Sequence, residues 1–293
     1  MLFCPDGYSS WMHSHASNPT AVVQPDGLVK IYFSPRDQEN RAHIGYVIVD
    51  PMQNWRTVEI ADKPVVVPGK IGAFDHRGCS MGCFATAPNG DVYIYYLGWN
   101  LAHDVPFRNS IGCWVQRGGE GEFERLSDGP VMDRDLVDPF SISYPFIMKE
   151  GDIYHMWYGS HKQWGATTDD MIHGLKYAKS LDALHWDRTN IQCIDTTPEQ
   201  YAFSRPWVIK EDGLYKMWYS FRGGKYRIGY AESFDGLQWD RKDSEAGITV
   251  SDQGWDDTMV CYPCVFDFDG SRYLLYNGNG YGSTGIGLAV YQD

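Results

Sequence analysis

Apolar and polar positions alternate with a period of two along most of this chain. The alternating runs are short and rich in aromatic and β-branched residues: VKIYF (29–33), VYIYYLGW (92–99), IYHMWYGS (153–160), LYKMWYSF (214–221) and YLLYN (273–277). A period of two sends successive side chains to opposite faces of an extended backbone, so each run predicts a β-strand and not a helix. A turn signal precedes each one: PDG (25–27), PNG (88–90), EG (150–151), EDG (211–213) and FDG (268–270). Gly, Asp and Asn accept the backbone angles that reverse a chain within a few residues, so each signal predicts a hairpin.

The runs recur together with their surroundings. SYPFIMKEGDIYHMWYGSHKQW (143–164) matches SRPWVIKEDGLYKMWYSFRGG (204–224), and each is followed by a second matching stretch, HGLKYAKSLDALHWDR (173–188) and YRIGYAESFDGLQWDR (226–241). CYPCVFDFDGSRYLLYNGNG with TGIGLAVYQD is a further copy, and Pro145, Pro206 and Pro263 follow one another at intervals of 61 and 57 residues. Weaker copies come first, NPTAVVQPDGLVKIYFSPRD with HIGYVIVD and SMGCFATAPNGDVYIYYLGWN with NSIGCWVQRG. Five units of up to four strands, repeating at about 50–60 residues, predict an all-β, five-bladed β-propeller of four-stranded antiparallel blades. The last copy stops after its third strand, so residues 1–10 are expected to close it and leave no open sheet edge. On this reading residues 1–293 are a single domain.

Composition narrows the partners. A net charge of −13 excludes the usual nucleic-acid and anionic-membrane binders, which need surplus Lys and Arg. No apolar run reaches the roughly 18–20 residues of a membrane span, and the first residues lack the pattern of a signal peptide. Seven scattered Cys, an odd number, suit reduced thiols, and together these features predict a cytoplasmic protein. Cys261 and Cys264 form a CxxC with Pro263 inside it and no second ligand pair at zinc-site spacing, which is weak ground for a metal or redox role.

The first two strands of a blade are antiparallel, so the loop entering the first and the loop leaving the second meet at one end. The entering segments are HSHASNP (13–19), FDHRGCSMG (74–82), DPFSISYP (138–145), EQYAFSRP (199–206) and DDTMVCYP (256–263). The leaving ones are SPRD (34–37), LGWN (97–100), GSHKQW (159–164), SFRGG (220–224) and NGNGYG (277–282). These ten segments concentrate His, Arg, Asp, Trp, Asn and Tyr, whereas the opposite turns are ordinary. Aromatic faces that stack on sugar rings, mixed with groups that bind hydroxyls, predict a carbohydrate funnel.

With its YPFIM...MWYGS, RPWVI...MWYS and YPCVFDFDG...YNGNG stretches, the chain resembles the five-bladed glycosidase-like propellers grouped around glycoside hydrolase families 43, 32, 68 and 130. It looks closest to members found with bacterial surface-polysaccharide genes. The resemblance implies a glycoside hydrolase-like enzyme in polysaccharide or nucleotide-sugar metabolism, working in family 43 with three acids at first-strand entries, a base in the first blade, a modulating Asp and a Glu acid, two of them directly before the strand proline. Where family 43 places acids directly before the strand proline, this chain has Asn18, Tyr144, Arg205 and Tyr262.

The nearest funnel acids lie upstream. Asp75, Glu199 and Asp138 are therefore the catalytic candidates, with Asp256 and Asp257 behind them. Candidate sugar contacts are His15, Asn18, Trp99, Asn100, Tyr144, His161, Trp164, Asp257, Tyr262 and Asn279. Five basic residues, Arg36, Arg77, Lys162, Arg205 and Arg222, invite an anion such as phosphate, a nucleotide-sugar diphosphate or a sugar carboxylate. Family 130 implies phosphorolysis with one acid as an alternative to hydrolysis, and a non-catalytic carbohydrate-binding propeller is the third reading. No cofactor is required, and no metal site is assigned. His13 and His15, with HxH spacing, are weak candidates for a divalent ion.

Overall fold

The computed structural model describes residues 1–164 and 171–292, and its strands fall where the period-two runs predict them. The first meander is β1 (Ser14–Val23), β2 (Val29–Arg36), β3 (Gly45–Asp50) and β4 (Arg56–Ile60). The second is β5 (Gly78–Thr86), β6 (Val92–Asn100), β7 (Arg108–Gln116) and β8 (Glu124–Arg125). The third is β9 (Ile142–Glu150), β10 (Ile153–Gln163), β11 (Ile172–Ser180) and β12 (Asp187–Ile194). The fourth is β13 (Ala202–Glu211), β14 (Leu214–Arg222), β15 (Tyr226–Ser233) and β16 (Asp240–Arg241). A last group, β17 (Cys261–Phe268), β18 (Ser271–Asn277) and β19 (Ile286–Val290), completes the order.

Pairing within each group runs antiparallel from one strand to the next. The third and fourth meanders form one eight-stranded sheet through a single parallel rung, His173 opposite Ala202. An isolated parallel bridge between Ala42 and Gly78 joins the first and second in the same manner. At the other end of the chain, Phe3 bridges Ile286 antiparallel, and the Leu2 amide donates to the Ile286 carbonyl.

The core lies between meanders and is aromatic. Trp157 and Trp207 are buried and send their indole N–H groups across to the carbonyls of Gly236 and Val265, each at 2.8 Å. Cross-links also run along the innermost strands. The hydroxyl of Ser34 accepts from the Met81 amide, Ser220 accepts from the Tyr262 amide, and the Asn277 side-chain carbonyl accepts from the Asn18 amide, at 2.7–2.8 Å. The last of these ties the final group of strands to the first.

One recurring sequence signal acquires a physical reason. Tyr96, Tyr219 and Tyr276 lie across Gly112, Gly229 and Gly287, where an added Cβ would come within 2.2–2.5 Å of the tyrosine ring. The Ile-Gly pair that opens these third strands therefore makes room for a tyrosine of the second. Each of those tyrosines in turn donates its hydroxyl to a carboxylate, Asp75, Asp243 or Asp256.

Candidate functional site

Every innermost strand carries a register shift near the strand proline or its equivalent. In four of the five groups the residue before that proline has positive φ: Asn18 (56°), Tyr144 (29°), Arg205 (53°) and Tyr262 (58°). In the fifth, Gly82 stands at the shift, and an added Cβ there would strike the Tyr95 carbonyl at 2.6 Å. Left-handed backbone at large side chains is strained by about 1–3 kcal/mol each and concentrates where side chains are aimed for a purpose. The positions at which the family resemblance implies acids thus form a ring of residues around the inner ends of the strands.

Above that ring is a cavity of about 340 Å³. Two rows of laterally paired residues form much of its wall. The first runs Arg36, Ala42, Gly78, Trp99, Asn109. The second runs His161, His173, Ala202, Arg222, Tyr226. Each row crosses from one meander to the next near its middle, Ala42 to Gly78 in the first and His173 to Ala202 in the second, so each crossing has at least one small residue. An added Cβ on Gly78 would come within 2.3 Å of the Trp99 indole nitrogen and 2.8 Å of the Ala42 methyl. Small residues at the crossing let the large ones on either side reach the cavity. Ser17, Asn18, Ser34, Ser80, Ser143, Tyr144, Ser204, Tyr262 and Tyr281 complete the polar lining.

Of the expected sugar contacts, the structure brings Asn18, Trp99, Tyr144, His161 and Tyr262 together in this cavity, with Arg36 and Arg222 from the basic set. The others lie elsewhere. Trp164 packs edge-on against His161 and Phe107, and Asn100 is paired with Arg108. Asp257 and Asn279 bond each other, and Asn279 also accepts from Thr258 and the Met259 amide, which fixes their loop. Arg77 donates to the Glu39 carbonyl, and Lys162 is ion-paired to Asp195. Arg205 is completely buried beneath the cavity, where it donates to the carbonyls of Gly82 and Pro19 and to the Thr20 hydroxyl.

The acids require correction of position. Asp75 is fully buried and accepts from the Tyr96 hydroxyl (2.7 Å) and Arg125 (2.6 Å). Asp138 is also fully buried and accepts from Tyr158, Ser160, Lys176 and Arg188. Asp256 is buried and accepts from Tyr276. These aspartates tie loops to the second, third and fourth strands, and they lie outside the cavity lining. Glu199, exposed, lies outside the lining as well. Among the described residues the lining contains no Asp or Glu.

His13 is exposed, while His15 is half-buried and bonded to the Ser14 hydroxyl. Among the described residues no group of three His, Cys, Asp or Glu side chains is placed to hold a metal. All seven Cys are free thiols, with Cys261 and Cys264 buried. The buried thiol of Cys264 accepts from the Ala21 amide.

Three histidines are held neutral. Burial, helped by Arg36, lowers His15 to about 4. Burial, with Arg222 nearby, lowers His173 to about 4, and burial pushes His161 well below the usual value. Each binds its proton more readily in the unfolded chain, so its contribution to stability is complete above about pH 6.5 and is lost as pH falls toward 4. The melting temperature is expected to fall steadily across that window, His173 alone contributing up to about 1.4 kcal/mol per pH unit. A melting temperature unchanged between pH 7 and pH 4.5 would contradict this assignment.

Comparison with known proteins bears directly on this all-β fold and its cavity. The chain is 44% identical over 294 residues to "Uncharacterized protein Rv1502" of Mycobacterium tuberculosis, covering 100% of this chain and 97% of that one, and it belongs to that protein's family. A stretch of 152 residues is 26% identical to a 1,2-beta-oligomannan phosphorylase of Thermoanaerobacter, covering 47% of this chain and 49% of the phosphorylase. No family model matches the sequence.

Solved structures share the fold at low identity. A BT0996 RGII complex superposes with a TM-score of 0.75 at 17% identity, covering 97% of this chain and 89% of that one. A thermostable family-43 glycoside hydrolase gives 0.70 at 16%, covering 97% and 92%. A structure described with the family-130 mannoside phosphorylases and hydrolases that target beta-1,2 mannosidic linkages in Candida mannan gives 0.71 at 16%, covering 96% and 85%.

Proposed function

We propose that the protein is a glycosidase-like enzyme acting on a sugar or glycoconjugate, with the cavity between the two rows as its active site. One observation carries this reading: a single concave site combines the Trp99 and Tyr faces, neutral hydrogen-bonding groups on Asn18, Asn109, Ser143 and the histidines, and two guanidiniums. That mixture suits a polar ring-shaped ligand, and the volume lies within the range of small-molecule sites. The five groups of strands serve as five blades of one domain, closed through Phe3 and Ile286. Seven free thiols suit a cytoplasmic setting, and a role beside surface-polysaccharide or nucleotide-sugar metabolism fits such an enzyme.

Within this class, transfer of the glycosyl group to phosphate is the reading that the lining favours. Hydrolysis by the usual route needs two carboxyl groups flanking the scissile bond, whereas the described lining offers Arg36 and Arg222 and no carboxylate. In phosphorolysis an oxygen of hydrogen phosphate attacks the anomeric carbon, the bond to the leaving oxygen breaks, and that oxygen takes up the proton that the phosphate gives up. The Arg36 guanidinium would hold the phosphate. The likeness of part of the chain to an oligomannan phosphorylase points the same way.

The test is incubation with a panel of oligosaccharides that includes β-1,2-mannobiose, with and without inorganic phosphate. Sugar 1-phosphate formed only when phosphate is present is the expected result. Free reducing sugar formed equally in both would establish hydrolysis, and tight binding without turnover would leave a carbohydrate-binding protein.

A further inference from the structure

His161 and His173 sit opposite each other on β10 and β11, stacked with ring centroids 4.9 Å apart and planes 30° apart. Both are 3% exposed or less, and both line the cavity. The tautomer of His173 follows from its surroundings. Its Nδ1 lies 2.6 Å from the carbonyl of Phe203, which can only accept, so the proton is on Nδ1 and Nε2 carries a lone pair. Among the described residues Nε2 has no partner. Leaving a buried polar atom unmatched is costly, and where it happens at a cavity wall a ligand group is the natural complement.

We propose that His173 is a specificity-determining residue that accepts a hydrogen bond at Nε2 from one hydroxyl of the bound sugar, with His161 stacked on it as a positioning residue. Two further lining residues sharpen the selection. Asn109 Oδ1 and Ser143 Oγ, also on the lining, are likewise buried and unmatched among the described residues. Arg222 lies in the same row two places from His173, close enough to disfavour its protonation. A lone-pair acceptor beside a guanidinium suits a group that both donates and accepts, which a sugar hydroxyl does and an anionic oxygen does not. Phosphate is thereby turned away from this end of the cavity and toward Arg36. This assignment deepens the sugar-enzyme reading and rests on it.

The experiment has two arms. In the first, ring-nitrogen NMR of the full chain reports the protonation of His173 between pH 5.5 and 8. A neutral ring with its proton on Nδ1 throughout is expected, and a ring that titrates in that range or carries its proton on Nε2 overturns the proposal whatever the protein binds.

In the second arm, binding of mannose, glucose and galactose, and of the singly deoxyfluorinated forms of the tightest binder, is measured for the wild type and for His173→Asn and His173→Gln. Asn preserves a donor toward Phe203 and lacks the distal acceptor, whereas Gln restores an amide near the Nε2 position. The expected pattern is one fluorinated position that weakens wild-type binding roughly tenfold or more, a similar loss in His173→Asn with indifference to that fluorine, and partial recovery in His173→Gln. Binding by His173→Asn equal to the wild type, or its continued sensitivity to that fluorine, overturns the proposal alone. A wild type that binds no hexose overturns this proposal and the sugar-site reading together.

Discussion

An Asp138→Ala variant is expected to lose about 3–5 kcal/mol of stability, a loss that belongs to the fold and not to the chemistry. The carboxylate is fully buried and accepts from the Tyr158 hydroxyl at 2.8 Å, the Ser160 hydroxyl at 2.6 Å, Lys176 at 3.1 Å and Arg188 at 3.2 Å. Removing it takes the carboxylate away from two nearly buried cations, whose side chains are 10% and 9% exposed, and leaves Arg188 with Asp135. Breaking a buried pair from one side costs more than the pair itself contributed, because the remaining charge has lost its partner without regaining water. At about 2–4 °C per kcal/mol for a chain of this size, the melting temperature should fall by roughly 10 °C.

Asp138→Asn keeps acceptor capacity and loses only the charge, so a smaller drop is expected. Thermal unfolding of both variants, followed by calorimetry, provides the check. A variant that melts with the wild type but has no turnover would return Asp138 to the catalytic machinery.

The placement of Asp138 marks the boundary of what local sequence signals reveal. The strands were legible because period-two alternation and the turn residues are local signals, and the repeat revealed the order in which they pair. The rim was legible in outline for the same reason, since antiparallel pairing dictates which loops share an end. Asn18, Trp99, Tyr144, His161 and Tyr262 followed from that outline and do line the cavity.

The depth of each residue was not legible. Asp75 and Asp138 sit on the segments that enter the funnel, yet their side chains turn down between strands because Tyr96 and Tyr158, with Arg125, Lys176 and Arg188, offer partners there. Those partners lie 20 to 50 residues away in sequence, where no local pattern can signal them. Asn109 and Tyr226 were missed as lining residues for a related reason. They face the cavity through lateral pairing across strands, and a strand-by-strand reading of loops passes over them. The glycines near the start of each third strand were the available signal: Asn109 and Tyr226 both stand within three residues of one.

Arg205→Ala is the second substitution from which a large effect is expected, about 3–5 kcal/mol, for a different reason. Arg205 is fully buried and held at positive φ, and among the described residues no carboxylate is ion-paired to it. Its guanidinium instead gathers acceptors from two other meanders: the Gly82 carbonyl at 2.5 Å, the Pro19 carbonyl at 3.0 Å and the Thr20 hydroxyl at 2.8 Å. Burying the charge costs stability, and a well-packed apolar replacement of equal volume would recover part of that cost. Alanine recovers none of the packing: it leaves a cavity beneath the site, takes the guanidinium from the Pro19 carbonyl and leaves the Gly82 carbonyl with only the Thr20 hydroxyl at 3.3 Å, an unmatched buried group costing about 1–3 kcal/mol.

Lysine tests the fork against the charge. A compact ammonium cannot reach both meanders in the way a planar guanidinium does, so Arg205→Lys should restore less than half of the loss. Because Arg205 underlies Asn18 and stands in the same ring as Tyr144 and Tyr262, sugar affinity should fall together with the melting temperature. Loss of affinity at an unchanged melting temperature would mean that Arg205 reaches the ligand and is part of the site, and its role as the floor beneath the cavity would then fail.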